Sequence, residues 1–240
     1  MPMFTRGDVN LYYEEQGSGF PLLMIAPGGM RSTVSFWDKV SWNPIPRLAQ
    51  HYRVIAMDQR NAGQSVAPIR ATDSWSVYTE DQLALMDHLG VDRFHVAGMC
   101  IGGSYSMGLI QAAPQRVASA VLFQPIGQDN NRRAFFDMFD GWAKEVKPLH
   151  PETDDHAWES FKTSMYGGDF LFNVSREFVA ACQTPLLVLL GNDMYHPEST
   201  SRDIVALAPR VSLIEQWKDP AHQPAAQQAI ERFLAEHTPR

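Results

Sequence analysis

The chain reads as a mostly parallel α/β sheet with helices on both faces. Three observations predict this. Apolar, β-branched runs of strand length alternate with helix-spaced segments along most of the chain. Several of those runs are continuously apolar, which suits strands covered on both faces. The chain, 240 residues with 45% hydrophobic and 20% charged residues, is also long enough to bury a sizeable core.

The elements follow in order. Phe4–Glu15 reads as two short strands, and Gly17-Ser18-Gly19 forces a turn. Pro21–Ala26 is an apolar strand ending in Pro27-Gly28-Gly29-Met30. The stretch to Gln50 is polar and Trp-containing, and Pro44 and Pro46 keep any helix there short. Arg53–Asp58 is a strand. Trp75–Leu89 has helical spacing, with Gly90 as its stop. Arg93–Gly98 is a strand, Ile101–Ala113 a helix rich in small residues, and Val117–Phe123 a strand. Leu186–Leu190 is a strand, Ser199–Leu207 a helix, Val211–Trp217 a strand and Pro224–Ala235 the last helix. Such alternation implies right-handed crossovers and a parallel sheet.

One segment breaks the rhythm. Residues 127–183 contain no convincing strand. They hold amphipathic stretches at Ala134–Val146, His156–Tyr166 and Phe170–Ala181. We read them as a helical cap inserted into a core made of residues 1–126 and 184–240. The insertion is rich in aromatics, among them Phe135, Phe139, Trp142, Trp158, Phe161 and Tyr166. Some should dock on the core and some should line a cleft.

Composition narrows the function. The formal net charge is −7, with no basic stripe, so nucleic acid is not an expected partner. No apolar run reaches membrane-spanning length, and the start of the chain lacks a secretory signal, so a cytoplasmic protein is expected. Two cysteines, Cys100 and Cys182, make no disulfide framework. No His or Cys pairs have ligand spacing with a defined second pair, and neither metal nor cofactor is expected.

The most informative stretch is Val96-Ala97-Gly98-Met99-Cys100-Ile101-Gly102-Gly103. An apolar strand runs into glycine, then Cys, then two glycines that open a helix. A side chain on so sharp a turn stands proud of the sheet. The positions two before and two after it must be tiny, and Gly98 and Gly102 are. The helix's free N–H groups and positive dipole end favour a thiolate there. The competing readings are a dinucleotide loop, which lacks its middle glycine, a buried structural cysteine, and a catalytically dead descendant of an enzyme. Cys182 reads as a buried small apolar residue.

The turn resembles the nucleophile elbow G-x-S-x-G of the α/β-hydrolase superfamily, with Cys in place of Ser. The resemblance covers essentially the whole chain in order: the glycine turn after the third strand, Asp58-Gln59-Arg60-Asn61-Ala62-Gly63-Gln64-Ser65, the elbow, the cap, a late Asp and a final His. The Cys elbow followed by Gly-Gly is similar to that of dienelactone hydrolases and polyhydroxyalkanoate synthases. The loops and cap look more like the enol-lactonase and esterase branch.

The resemblance implies the α/β-hydrolase fold with an eight-stranded sheet and a Cys100–His222–Asp193 triad. His222 follows the last predicted strand, as the superfamily's chain order requires of the base. Asp193 ends a late strand 29 residues earlier. His196, three residues past that acid, stands under suspicion. His51, His88 and His95 read as surface or core residues, His150 and His156 as exposed, and His237 as part of the tail. Asp129 is the alternative acid. The oxyanion donors expected are the N–H groups of Ile101 and Gly29, with Met30 as the alternative to Gly29. Asp58 and Arg60 read as structural. The function implied is hydrolysis of a small ester or lactone through a thioester; acyl transfer and a weakly active binding protein are the alternatives. A homodimer stays open.

Overall fold

The computed structural model describes residues 2–239. The first strands are β1 (Met3–Arg6), β2 (Val9–Gln16) and β3 (Phe20–Ile25). A short helix α1 (Ile45–Leu48) leads into β4 (Tyr52–Met57), and α2 (Trp75–His88) into β5 (Phe94–Met99). Next come α3 (Ile101–Ala112) and β6 (Val117–Phe123). Three helices follow without a strand: α4 (Arg132–Val146), α5 (Asp155–Tyr166) and α6 (Arg176–Ala181). The chain closes with β7 (Leu186–Leu189), α7 (Glu198–Leu207), β8 (Val211–Ile214) and α8 (Gln223–His237).

The eight strands form one sheet in the order β1-β2-β4-β3-β5-β6-β7-β8. β1 and β2 pair antiparallel, as do β2 and β4; every other pairing is parallel. This is the mostly parallel eight-stranded architecture that the alternation predicts. β5 is buried at all six positions. The period-two pleat sends alternate side chains of one strand into two separate cores. Leu23, Ile25, Val96, Leu122 and Val188 join α2, α3, α4, α5 and α7 on one face. Leu22, Met24, Ala97, Val121 and Leu187 meet α1 and α8 on the other. Each such large aliphatic side chain contributes roughly 1.5–3 kcal/mol of burial.

Two elements differ from expectation. β8 stops at Ile214 instead of reaching Trp217. It is a half-exposed edge strand, and the Trp217 indole turns back to donate to the Leu190 carbonyl (2.9 Å). The helix expected from Phe170 begins only at Arg176. Phe170 and Phe172 sit at φ 57° and 68°, outside right-handed helical space, and Ser175 caps the helix by accepting from the Phe178 N–H (3.2 Å).

The helices between β6 and β7 pack by aromatic contact. Phe139 meets Trp142 and Phe161 edge-on at centroid distances of 5.2 and 5.3 Å, and Trp142 meets Trp158 at 5.8 Å. The Trp142 indole donates to the Asn61 carbonyl (3.2 Å), tying α4 to the loop after β4. Arg31 forks onto Glu145 at 2.8 and 2.9 Å and ties α4 to the turn after β3. The parallel strands bring the loops after β3, β5, β6 and β7 to one sheet edge, where ligands bind in such folds.

Candidate active site

The turn at Cys100 is built by close approach. Cys100 itself has φ 61° and ψ −118°, a strained conformation for a residue with a side chain. A Cβ on Gly98 would stand 2.0 Å from the Gly102 carbonyl oxygen, and one on Gly102 would stand 2.6 Å from that of Ile25. The Cys100 N–H donates to the Phe123 carbonyl (3.0 Å), while its own carbonyl accepts from Gly103 (3.0 Å) and Ile126 (3.3 Å). These bonds hold the strain. The sulfur lies over the first turn of α3, with the N–H groups of Ile101 and Gly28 aimed at it.

Gly28, not the expected Gly29, thus supplies the second N–H. Gly29 opens a single 3-10 turn over Gly29–Arg31, and its α-carbon faces Met138, whose sulfur would be 2.5 Å from an added Cβ. Gly28 precedes that turn and lends it only a carbonyl, which accepts from the Arg31 N–H (3.0 Å). Its N–H is left to face the thiol.

The loop after β7 carries the acid and the imidazole together. The His196 Nδ1–H donates to both Asp193 carboxylate oxygens, at 2.7 and 2.8 Å. The Asp193 carboxylate also accepts from the N–H groups of Tyr195 (3.0 Å) and His196 (3.1 Å). The two backbones bond each other in both directions, and Gly191 permits this: a Cβ there would be 2.4 Å from the His196 carbonyl oxygen. With Nδ1 occupied, the buried Nε2 is the nitrogen left to face the Cys100 thiol.

The charges of the three groups reinforce one another. Burial pushes the Cys100 thiol up, but the neighbouring His196 imidazole and the two N–H groups outweigh it, so the thiol ends below its ordinary value. Burial pushes His196 down, but the Cys100 thiolate and the Asp193 carboxylate outweigh it and raise the imidazole. Burial also raises Asp193, and the His196 ring with two backbone N–H groups brings it below the usual range. All three shifts favour a thiolate–imidazolium–carboxylate array.

The expected base, His222, is not brought to Cys100. It stands at the start of α8 with its side chain 43% exposed. Its Nδ1–H donates to both oxygens of Asp219 at 2.8 Å. The reason lies upstream: Trp217 packs on Phe123 (5.9 Å) and Trp42 (6.3 Å) and occupies the sheet edge, so the turn after it faces outward. His196 is the histidine that took its place. The signal for it was present in the sequence, as an imidazole one helical turn beyond the acid on the same loop.

A cavity of about 300 Å³ lies above the thiol. Pro27, Phe36, Val40, Met99, Ile126 and Met138 give it apolar walls, and Phe135 and Tyr166 reach it from α4 and α5. Gln124 and Tyr195 complete the lining beside Cys100 and His196.

The remaining candidates lie elsewhere. Asp58 accepts from the N–H groups of Val34 (2.7 Å) and Gln64 (2.9 Å), and burial raises its carboxyl. Arg60 is buried against Asp81 (2.7 Å). Both shape the loop after β4. Cys182 is buried, and burial raises its thiol. His150, expected to be exposed, is buried near Trp158 (6.4 Å). Asp129 accepts from the Ser199 hydroxyl (2.7 Å) and does not line the cavity. Among the described residues no cluster of His, Cys, Asp and Glu has the makings of a metal site, and no helix is long and apolar enough to cross a membrane.

Known proteins share this architecture. The model of the α/β hydrolase fold family matches residues 21–183. A protein of Azorhizobium caulinodans that carries the provisional name carbamate hydrolase RutD is 38% identical over 122 residues, or 51% of this chain and 43% of that protein. The 2-hydroxymuconate semialdehyde hydrolase of Pseudomonas sp. strain CF600 is 32% identical over 114 residues, 47% of this chain and 39% of that one. The chain thus spans less than half the length of these two relatives. Among solved structures, the enol-lactonase of Burkholderia xenovorans superposes with a TM-score of 0.72 at 17% identity, covering 98% of this chain and 100% of the other. At that identity the likeness concerns the fold.

Proposed function

The chain belongs to the α/β hydrolase fold family, and from that premise we propose that it hydrolyses a carboxylic ester or lactone through a thioester on Cys100. The observation that carries this reading is the convergence of a thiol, an imidazole and two backbone N–H groups on the floor of one cavity. In this reading residues 127–183 form a cap over the site.

The steps follow from the charges. The Cys100 thiolate attacks the carbonyl carbon, and the carbonyl π pair moves to oxygen. The N–H groups of Gly28 and Ile101 hold that oxyanion, worth about 3–4 kcal/mol per donor where single donors have been removed. The oxyanion collapses, the C–O bond breaks, and imidazolium His196 protonates the leaving alkoxide from Nε2. Neutral His196 then takes a proton from water as its oxygen attacks the thioester. The second oxyanion expels the thiolate, and imidazolium is restored. Asp193 fixes the tautomer and stabilises the cation at Nδ1.

A thiolate leaves more readily than an alkoxide, so the first intermediate tends to return to reactants. This favours activated substrates such as enol lactones, thioesters and aryl esters. The hydrolase names of several relatives agree with a hydrolytic outcome.

The test is mass spectrometry of the protein quenched during turnover of a 4-nitrophenyl ester. We expect one acyl group on the peptide containing Cys100 and a Cys100→Ala variant that releases nitrophenol at background rate. An unchanged rate in that variant would overturn the reading.

A further inference from the structure

The turn that carries Gly28 has little of its own to hold it. Gly28 and Gly29 sit at φ 120° and 59°, and neither has a side chain to anchor it. The hydrogen bonds of the turn secure its carbonyls. That of Gly28 accepts from the Arg31 N–H (3.0 Å), that of Gly29 from the Ser32 N–H (3.2 Å) and that of Ala26 from the Ser32 hydroxyl (2.7 Å). These bonds leave the Gly28 N–H to the thiol, and packing from outside decides how well it is aimed.

Much of that packing comes from α4. Met138, Gly141 and Glu145 follow one another at spacings of three and four residues, so they share one face of the helix. Each meets the turn. The Met138 sulfur covers Gly29, 2.5 Å from where a Cβ would stand. The Arg31 guanidinium passes Gly141, with Nη2 3.8 Å from a Cβ added there, and forks onto Glu145 at 2.8 and 2.9 Å. Glycine is a poor helix former, and at this position it leaves room for the guanidinium. Phe135, Phe139 and Trp142 bury the neighbouring face of α4 in the core, which makes the helix a firm support.

We propose that α4 positions the oxyanion hole: Met138 and the Arg31–Glu145 fork hold the turn after β3 so that the Gly28 N–H faces the sulfur of Cys100. Both act through the turn. Their role in catalysis rests on the hydrolase reading above, whereas their hold on an N–H that faces the thiolate does not depend on it.

Two readouts of the whole protein test this. One is steady-state kinetics with 4-nitrophenyl butyrate. The other is the rate of Cys100 alkylation by iodoacetamide against pH, followed by mass spectrometry, which reports the thiolate without forming an oxyanion. The titratable groups that face the sulfur are Tyr166 and His196, the latter paired with Asp193, and no variant used here alters them.

Met138→Ala should lower kcat about tenfold or more, within the roughly hundred- to thousandfold cost of losing a whole donor. It should also move the alkylation midpoint up by about one pH unit, because the thiolate loses a charge-assisted hydrogen bond. Met138→Leu, which refills the space, should restore both. Glu145 is exposed, so Glu145→Ala leaves the core untouched. It should lower kcat about two- to fivefold, the reach of a surface ion pair, and raise the midpoint by less. Exchanging the charges, Arg31→Glu with Glu145→Arg, should restore both.

A raised KM in Met138→Ala, with kcat and midpoint unchanged, would make Met138 only a wall of the cavity and overturn the proposal. A Glu145→Ala variant equal to wild type in both readouts would overturn it too, and this variant decides alone if Met138→Ala does not fold. Absence of ester turnover together with a raised midpoint in Met138→Ala overturns hydrolysis and upholds the positioning. Turnover lost in Cys100→Ala but unmoved in Met138→Ala, with no shift of the midpoint, upholds hydrolysis and overturns the positioning.

Discussion

Two loops of this protein carry the same four-residue device. Asp193-Met194-Tyr195-His196 follows β7, and Asp219-Pro220-Ala221-His222 follows β8. In each, the His Nδ1–H bonds both oxygens of the Asp three residues earlier, at 2.7 and 2.8 Å in the first and 2.8 Å twice in the second. In each, the same Asp also accepts from the histidine's backbone N–H. Locally they are near copies. They differ in surroundings: His196 is 9% exposed and lines the cavity, whereas the His222 side chain is 43% exposed and does not. An acid–imidazole pair three residues apart is therefore a short-range product of sequence. What makes it fit for chemistry is burial beside a thiol and a nitrogen left facing it.

The sharpest way to break this contrast is to remove each imidazole in turn. His196→Ala should lower kcat for an activated ester by roughly a thousandfold, the scale expected of a general acid–base. Substituting His222 by Gln should leave kcat within about twofold, as for most exposed positions. Stopped-flow or plate kinetics reads both, and equal losses would erase the distinction.

A third histidine tests what the carboxylate contributes. His95 is fully buried between hydroxyls, Ser119 at 2.8 Å and Thr238 at 3.0 Å, and has no acid partner among the described residues. Burial, with His237 and Arg93 nearby, lowers it to about 4. Its folded value lies below its unfolded value near 6.5. The stability it confers by staying neutral is thus fully present above pH 6.5 and lost as pH falls toward 4. The loss amounts to roughly 3 kcal/mol at 1.36 kcal/mol per unit. Urea unfolding at pH 7 and pH 4.5 should show it, and replacing His95 by Gln should flatten that part of the profile. His196 has the opposite sign: its raised value confers stability below pH 6.5 that is lost as pH rises through its folded value.

Smaller effects follow. Asp193→Asn should lower kcat by some ten- to hundredfold, about 1.4–2.7 kcal/mol, because half of the carboxylate is open to water, while Asp219→Asn should not change it. Alkylation should be the mildest probe. Cys100, with its thiol below the ordinary value, should react with iodoacetamide near pH 7, and buried Cys182 should require unfolding. Mass spectrometry of the two peptides decides this.

Much of the site was legible because its causes are local. Gly98 and Gly102 bracket Cys100 at the spacing that a strand-to-helix turn demands, and Asp193 ends a continuously apolar strand. The choice of histidine was not legible in this way. Both Asp-x-x-His segments occur in loops after strands, and the superfamily's chain order points to the later one. Only the packing of Trp217 against Trp42 and Phe123, a contact between distant segments, turns that loop outward. The amide of Gly28, where the sequence pointed to Gly29 or Met30, was hidden for a related reason. Adjacent glycines carry no side-chain pattern, and which amide escapes the 3-10 turn depends on how Met138 fills the space beside it.

Because acid and imidazole share one four-residue loop, everything from α7 onward is relieved of holding reactive groups in register. The exposed turn from Asp219 to His222 becomes the natural place to open the chain for circular permutation or to splice in a foreign peptide. A fold that left its imidazole at the far end of the polypeptide could not tolerate such surgery there.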